Sequence, residues 1–229
     1  YSTKTDKTKP AISLDYDIKD MSIQKVFYAF NTVQAIMPIG RFLDGKLNSA
    51  LTMTGNLKGD MLPDLQSLTG KGNLLLLEGV LKKFAPLEKI ANTLQIDRLK
   101  SISVKDIKNY IEFKNGKVLV KPFDLNVEDI SMQIGGTHGF DQSLDYIVGM
   151  KVPRKYLGSS GNDLLNGLVS SAAAKGIPVK LGDMVDFTIK VGGTVTNPSI
   201  KVDLKDVVGD AVNDLKQQAV DFAKEKIDS

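Results

Sequence analysis

The segment GRFLDGKL, residues 40–47, comes closest to a phosphate-binding motif in this chain of 229 residues. It matches GxxxxGK, but a Walker A loop continues with a serine or threonine that binds magnesium, and Leu47 stands at that position. Such a loop also follows a strand and begins a helix. Here a helical pattern precedes the segment and a strand pattern follows it, so we predict a turn that binds no phosphate.

His138 is the only histidine, and the chain has no cysteine. One histidine without cysteines cannot build a multi-histidine or cysteine zinc site. A hydrolase would need two acidic or hydroxyl side chains within hydrogen-bonding reach of His138 in a cleft, and this alternative stays open. We interpret His138 as structural or exposed. We predict no catalytic residue, no metal site and no cofactor.

Two further segments have simpler interpretations. GSSGND, residues 158–163, places two serines between glycines, but it is not the GxSxG nucleophile motif and predicts the lead-in to a helix. Asp15, Asp17 and Asp20 lack the glycine of a calcium-binding loop and are predicted to lie on the solvated face of a strand.

Composition excludes some partners. Thirty basic and 27 acidic residues give a net charge of +3, which is too small and too evenly distributed to indicate a nucleic-acid partner. No apolar run is as long as the stretch of about 18 residues that a membrane-spanning helix needs. The first residues, YSTKTDKTKP, are typical of a linker, and we expect the chain to be a fragment of a longer protein whose missing part holds any targeting signal.

Periodicity predicts long strands and amphipathic helices. Alternating apolar residues predict strands over residues 11–20, 46–55, 70–81, 101–114, 117–127, 130–140, 143–152, 185–191 and 194–202. Helical spacing predicts helices over residues 23–37, with Ser22 as N-cap, and over 86–96, 162–175 and 206–227. Asn115-Gly116 predicts a two-residue hairpin turn. Several strands exceed the usual length of about 5–6 residues.

We therefore predict an α+β fold: a large curved antiparallel sheet, in the form of a meander, half-barrel or groove, with several amphipathic helices packed on it. Residues 1–10 are the linker, 11–204 the curved-sheet domain and 205–229 a C-terminal amphipathic helix. The polar face of that helix is more acidic than a membrane-surface helix, which favours docking on the sheet or on a partner.

Four consecutive leucines, Leu74 to Leu77, raise the question of what covers the sheet. Successive side chains of a strand point to opposite faces, so Leu74 and Leu76 share one face while Leu75 and Leu77 share the other. Both pairs need shielding from water. A second protein layer would provide it, and so would an apolar ligand in a groove. The residues alone leave both alternatives open.

Residues 55 to 204 resemble the C-terminal region of AsmA-like proteins of the Gram-negative envelope, most closely the Bacteroidetes branch. The resemblance rests on SLTGKGNLLLLEGVL (67–81), PLEKIANTLQIDRLKSISVKDI (86–107), residues 113–153 with GTHGFDQSLDY, and VGGTVTNPSIKVDL (191–204), in that order. It implies an inner-membrane-anchored chain in the periplasm, related to TamB-like and bridge-like lipid transfer proteins. It also implies a role in outer-membrane assembly or phospholipid transport, without enzymatic residues.

Together these observations predict a non-enzymatic envelope domain whose sheet binds lipid acyl chains in a hydrophobic groove. The predicted groove residues are Leu74, Leu76, Phe123, Leu125, Met132, Ile134, Tyr146 and Val148. The choice assumes one face of each strand, and the opposite parity would shift every residue by one. The alternative is an interaction or structural module of the envelope, with a sheet covered by its own helices and other envelope proteins as partners.

Overall fold

The computed structural model describes residues 10–179, 181–205 and 211–224 of the chain. Its strands form one nine-stranded antiparallel sheet in which each strand pairs with the next along the chain. The strands are β1 (Ala11–Ser22), β2 (Leu43–Asn56), β3 (Thr69–Lys82), β4 (Ser101–Lys114), β5 (Lys117–Val127), β6 (Ile130–Gly139), β7 (Leu144–Pro153), β8 (Met184–Gly193) and β9 (Pro198–Leu204). The sheet is curved and unclosed, and the predicted α+β fold is confirmed.

Five helices accompany the sheet in the described residues: α1 (Ile23–Ala29), α2 (Asn31–Ile36), α3 (Ala85–Leu94), α4 (Ser159–Ala174) and α5 (Ala211–Lys224). In a meander, the connections that follow odd-numbered strands all lie at one end of the sheet. Helices α1 and α2 connect β1 to β2, α3 connects β3 to β4, and α4 connects β7 to β8. These four helices therefore start from the same end, which we call the helical end.

The turns at the other end are short or lack α-helix. Asn115 and Gly116 have φ values of +49° and +71°, as the predicted hairpin turn requires. An added Cβ at Gly116 would also lie 2.6 Å from Oε1 of Gln66. The glycine thus serves both the backbone conformation and the close packing of the β2–β3 connection.

The predicted single helix over residues 23–37 is wrong. Phe30 has extended dihedrals, φ −134° and ψ 117°, and separates α1 from α2. Its carbonyl accepts the N–H groups of Val33 and Gln34, so it begins the second helix. Pro38 then starts a 3₁₀ turn, Pro38–Arg41. Proline disfavours helical dihedrals in the residue before it, which explains the end of α2. The predicted N-cap is confirmed, since Ser22 Oγ accepts the Lys25 N–H at 3.4 Å.

Two other elements begin at residues that differ from the predicted ones, because of tertiary contacts and turn hydrogen bonds. Helix α4 begins at Ser159 rather than residue 162, because Oε1 of Gln95 accepts the Ser160 N–H at 3.0 Å. Strand β9 begins at Pro198 rather than residue 194. The hydroxyl of Thr194 accepts the Asn197 N–H at 3.1 Å and holds a turn there. The predicted linker, except Pro10, and the predicted helical residues 206–210 and 225–227 lie outside the described residues.

Irregular pairing shapes the sheet. Leu77 is an extra residue in β3, because Lys46 pairs with Glu78 while Leu47 pairs with Leu76. Such bulges increase local twist and bending. Strands β4 and β5 pair only where residues 111–114 face residues 117–120. Their remaining parts, 101–110 and 121–127, are not paired with each other, so the two strands separate toward the helical end.

The two faces of the sheet carry different layers. The inner face bears residues such as Leu47, Met132 and Ile189, which form one buried cluster with residues of α3 and α4. The outer face carries α5, which contacts β5, β6 and β7. Phe222 of α5 is buried, and its ring centroid lies 5.0 Å from Nζ of Lys114. The C-terminal helix therefore packs on the sheet.

Candidate functional site: an apolar cavity on the inner face

A cavity of about 290 Å³ lies against the inner face of the sheet. Strands β2 to β8 supply one wall, and the segments before β2 and around the start of α3 supply the other. The lining residues are Ile36, Met37, Pro38, Ile39, Leu43, Leu47, Leu74, Leu76, Leu81, Phe84, Pro86, Leu87, Ile90, Ile102, Val104, Ile107, Asn109, Ile111, Val120, Phe123, Leu125, Met132, Ile134, His138, Leu144, Tyr146, Val148, Val191 and Val195.

All eight residues predicted for the groove lie on this wall: Leu74, Leu76, Phe123, Leu125, Met132, Ile134, Tyr146 and Val148. The pairing register explains why they meet. Phe123 pairs with Ile134, and Ile134 pairs with Val148, so their side chains share one face. The structure brings the eight side chains together, and lipid binding by them stays a prediction.

The four leucines have two different environments. Leu74 and Leu76 point into the cavity, with Leu76 paired between Leu47 of β2 and Ile107 of β4. Leu75 points to the outer face and pairs with Asn48 and Lys108. It is half-buried. Long lysine side chains can cover apolar neighbours with their methylene stems while the ammonium stays in water. The two faces therefore differ: Leu74 and Leu76 line a cavity, whereas Leu75 lies among polar neighbours of the same sheet.

The cavity is partly closed by residues 23–42, which we call the strap. The strap contains α1, α2 and the 3₁₀ turn, and its residues 36–39 line the cavity. Nε2 of Gln24 donates to the carbonyls of Gly40 and Leu43, at 3.1 and 3.0 Å, and joins the two ends of the strap. Nε2 of Gln34 donates to the carbonyl of Phe27 at 3.0 Å. These bonds keep the strap folded above the inner face.

His138 connects the far part of the strap to the sheet. Its Nε2 lies 2.9 Å from the carbonyl oxygen of Ile36, and its Nδ1 lies 2.9 Å from the hydroxyl of Tyr146. A carbonyl oxygen only accepts, so Nε2 carries the proton, and in the neutral ring Nδ1 accepts from Tyr146. Both bonds are satisfied by one tautomer of the neutral imidazole.

Burial fixes the charge state of this pair. Burial lowers the pKa of His138 to about 4, while the bond to the Ile36 carbonyl acts weakly in the opposite direction. Burial also raises the pKa of Tyr146 well above its usual range. A buried charge without a partner is costly, so both groups remain neutral near pH 7. The cavity wall is therefore uncharged at this point.

Asn109 is the other polar side chain of the wall. Its Nδ2 donates to the carbonyl of Lys121 at 3.3 Å, near the point where β4 and β5 separate. Its Oδ1 is buried without a hydrogen-bond partner. Apart from Asn109, His138 and the hydroxyl of Tyr146, the lining side chains are hydrocarbon or thioether. The wall offers apolar contact and few directional bonds.

The other candidate motifs do not form a constellation for catalysis or phosphate binding within the described residues. In GRFLDGKL, Gly40 belongs to the 3₁₀ turn, as predicted, but β2 begins at Leu43 rather than residue 46, so Gly45 lies within the strand. His138 lies in β6 and is buried rather than exposed. The hydrolase hypothesis needs two acidic or hydroxyl partners for it, and one of the two observed partners is a backbone carbonyl.

Sequence reasoning missed part of the wall. Strand parity could have identified Leu47, Ile107 and Val191, because they pair with residues already assigned to the same face. The helical patterns over residues 23–37 and 86–96 predict apolar faces that could close or fill one side of a groove, and both segments supply lining residues. Which part of the sheet they cover depends on how the connections fold back over it, and no local pattern encodes that path.

Comparison with known proteins identifies no relative of this chain. No family model, curated protein or solved structure matches the chain. In the described ranges, none of the helices has the length and apolar character needed to cross a bilayer. The geometry of the cavity is therefore the main basis for a functional assignment.

Proposed function

We propose that this chain is a non-enzymatic cell-envelope domain that holds a lipid acyl chain in the cavity of its inner face and supports outer-membrane assembly or lipid transport. The observation that carries the proposal is the wall itself, in which seven consecutive strands present hydrocarbon side chains to one common space. An acyl chain needs such a surface and no specific polar contact.

The size of the cavity sets what it can hold. A methylene group is about as large as a water molecule, whose share of liquid volume is about 30 Å³. A cavity of about 290 Å³ therefore accommodates roughly ten methylene groups. Each buried methylene contributes about 0.8 kcal/mol, or about 8 kcal/mol for ten before the costs of association. A contribution of about 8 kcal/mol corresponds to a dissociation constant of about 1 µM before the costs of association are subtracted.

The envelope location has a different support, namely the resemblance of residues 55 to 204 to AsmA-like chains. In that setting the ligand is a phospholipid acyl chain, and membrane attachment belongs to an anchor outside this segment. The competing proposal, an interaction module, expects helices to cover the whole inner face. Helices α3 and α4 cover part of that face, and the cavity occupies another part, which favours lipid binding.

Two adjacent leucines provide a matched test of acyl-chain binding. Leu76 and Leu75 are both half-buried in β3, but only Leu76 lines the cavity. We expect purified wild-type protein to bind a fluorescent fatty acid saturably and to release it on addition of unlabelled decanoic acid. L76W fills part of the cavity and should weaken binding at least about tenfold, the equivalent of losing two buried methylenes. L75W should leave binding unchanged.

Native mass spectrometry of the protein purified from a Gram-negative host supplies a second readout, with co-purified phospholipid expected. Thermal unfolding of both tryptophan variants controls for loss of structure. Absence of saturable binding, or equal weakening by L75W and L76W in folded proteins, would contradict the proposal.

A further inference from the structure

The outer surface of the strap has the composition of a membrane interface. Tyr28 and Phe30 are 65% and 59% exposed, although large aromatic side chains are usually at least half-buried. Two exposed cations belong to the same segment: Lys25 lies one helical turn before Tyr28 in α1, and Arg41 ends the 3₁₀ turn that contacts α1. Tyrosine and phenylalanine beside lysine or arginine are the groups that anchor peripheral segments in the headgroup region of a bilayer.

Acidic residues are absent from the strap. Between Asp20 and Asp44 the sequence contains no aspartate or glutamate. Asp20 is neutralised by Lys46, whose Nζ lies 3.1 Å from a carboxylate oxygen. Asp44 follows the inner-face residue Leu43 in β2 and so points to the outer face of the sheet. The strap therefore presents only positive charge, which complements an anionic lipid surface.

Exposed apolar residues continue beside the strap. Leu14 and Ile18 of the edge strand β1 are 40% and 44% exposed. Leu14 pairs with Met53 and Ile18 with Ser49, and this register places both on the inner-face side of the sheet. Helix α1 contacts both β1 and β2. The edge strand that α1 contacts thus carries further exposed apolar groups, on the inner-face side of the sheet.

The same segment forms the wall of the cavity on its inner side. Residues 36–39 line the cavity, whereas Tyr28 and Phe30 face solvent. We propose that the strap docks on an anionic lipid bilayer through Tyr28, Phe30, Lys25 and Arg41, and that acyl chains pass between this bilayer and the cavity beside it. The passage of acyl chains rests on the proposed function, because it requires that the cavity binds them. Docking of the strap on the bilayer does not depend on that function.

Vesicle flotation tests the docking surface. The probe is a set of vesicles of phosphatidylcholine with or without phosphatidylglycerol. We expect wild-type protein to float with the anionic vesicles. Y28S/F30S should lower the apparent partition coefficient at least about tenfold, because binding scales with the apolar area inserted. K25Q/R41Q should lower it by about fivefold per charge on anionic vesicles and much less on neutral ones.

The chain offers a matched control for exposed apolar area. Met61 and Leu62 lie in the β2–β3 connection, at the opposite end of β2 from its junction with the strap, and are 50% and 56% exposed. M61S/L62S removes similar exposed area and should float like wild type. Wild-type protein that fails to float, or M61S/L62S that loses as much binding as Y28S/F30S, overturns the docking proposal.

A transfer assay separates docking from acyl-chain binding. Transfer of a fluorescent fatty acid from anionic vesicles should be at least about tenfold slower for Y28S/F30S than for wild type, in line with the lost partitioning. Binding of decanoic acid in buffer should be equal for the two proteins. If wild-type protein does not bind decanoic acid in buffer, the proposed function is wrong. If both proteins bind decanoic acid in buffer and transfer the fluorescent fatty acid at equal rates, only the inference about the strap is wrong.

Discussion

At the residue scale, His138 shows how burial can decide the role of a side chain. It is the only imidazole in the chain, yet both ring nitrogens are engaged, by the carbonyl of Ile36 and the hydroxyl of Tyr146. The ring joins the strap to the sheet at the edge of the cavity. Its function in this account is positional: it keeps the cavity wall neutral and the strap in place.

The low pKa of His138 makes folding depend on pH. The folded pKa, about 4, lies below the ordinary value of 6.5, so the unfolded state binds more protons between these limits. Stability therefore rises with pH across this window and is lost as pH falls from 6.5 to 4. At 1.36 kcal/mol per pKa unit, the contribution is about 3 kcal/mol. We expect H138Q to lack this pH-dependent contribution, because glutamine keeps a hydrogen-bond donor and an acceptor but does not titrate.

Denaturant unfolding of wild type and H138Q at pH 7, 5.5 and 4 measures this term. The difference in free energy of unfolding between wild type and H138Q does not contain the contribution of the carboxylates, because they titrate in both proteins. Parallel pH profiles would show that His138 is accessible to protons in the folded state and that the strap contact is not as described.

At the element scale, the strands were predictable and the connections were not. Strand β4 was predicted with its observed bounds, because its alternation is regular and the Asn115-Gly116 turn fixes its end. The strap was predicted as one helix and instead breaks at Phe30. Helical periodicity continues across this break, so only contacts with the sheet, such as that of Ile36 with His138, reveal the actual path.

The groove residues were predictable for the same reason. Strand parity fixes which side chains share a face, and one correct choice of parity places all eight in the cavity. The opposing wall was predictable only in part. Helical periodicity indicates that residues 23–37 and 86–96 have apolar faces, but the path by which they reach the cavity depends on long-range packing.

Helix α5 lies on the outer face, so changes in its packing should alter stability without altering binding in the cavity. Phe222 is 6% exposed and packs near Lys114 of β4, whereas Val220 on the same helix is 45% exposed. We expect F222A to destabilise the protein by about 3 kcal/mol, a typical cost for deleting a buried phenylalanine. V220A, the control, should stay within about 0.5 kcal/mol of wild type.

Two measurements follow for F222A. Limited proteolysis should cleave the C-terminal helix faster than in wild type or V220A. Fatty-acid binding by folded F222A should match that of wild type, since none of the described side chains of α5 lines the cavity. A large loss of binding in F222A would mean that the outer layer controls the cavity.

At the scale of the whole molecule, the finite cavity predicts a limit on chain length. For saturated fatty acids, affinity should rise by up to about fourfold per added methylene, the equivalent of 0.8 kcal/mol. The increase should stop near about ten carbons, the capacity estimated from the volume of the cavity. Displacement of a fluorescent fatty acid by acids of six to eighteen carbons measures this series.

A matched variant sharpens the chain-length test. L76W reduces the volume, so its affinity should reach a plateau at a shorter chain than in wild type. An affinity that keeps rising to eighteen carbons in both proteins would indicate adsorption to the surface rather than filling of a cavity.

The central claim is that an acyl chain lies against the inner face, and contact quenching tests it most directly. The chain contains no tryptophan, so F123W places a single indole on the cavity wall and L75W places one on the outer face. A terminally brominated decanoic acid quenches indole fluorescence on contact. The account predicts saturable quenching of F123W and none of L75W at the same concentrations. Equal quenching of both, or none in F123W, would contradict it.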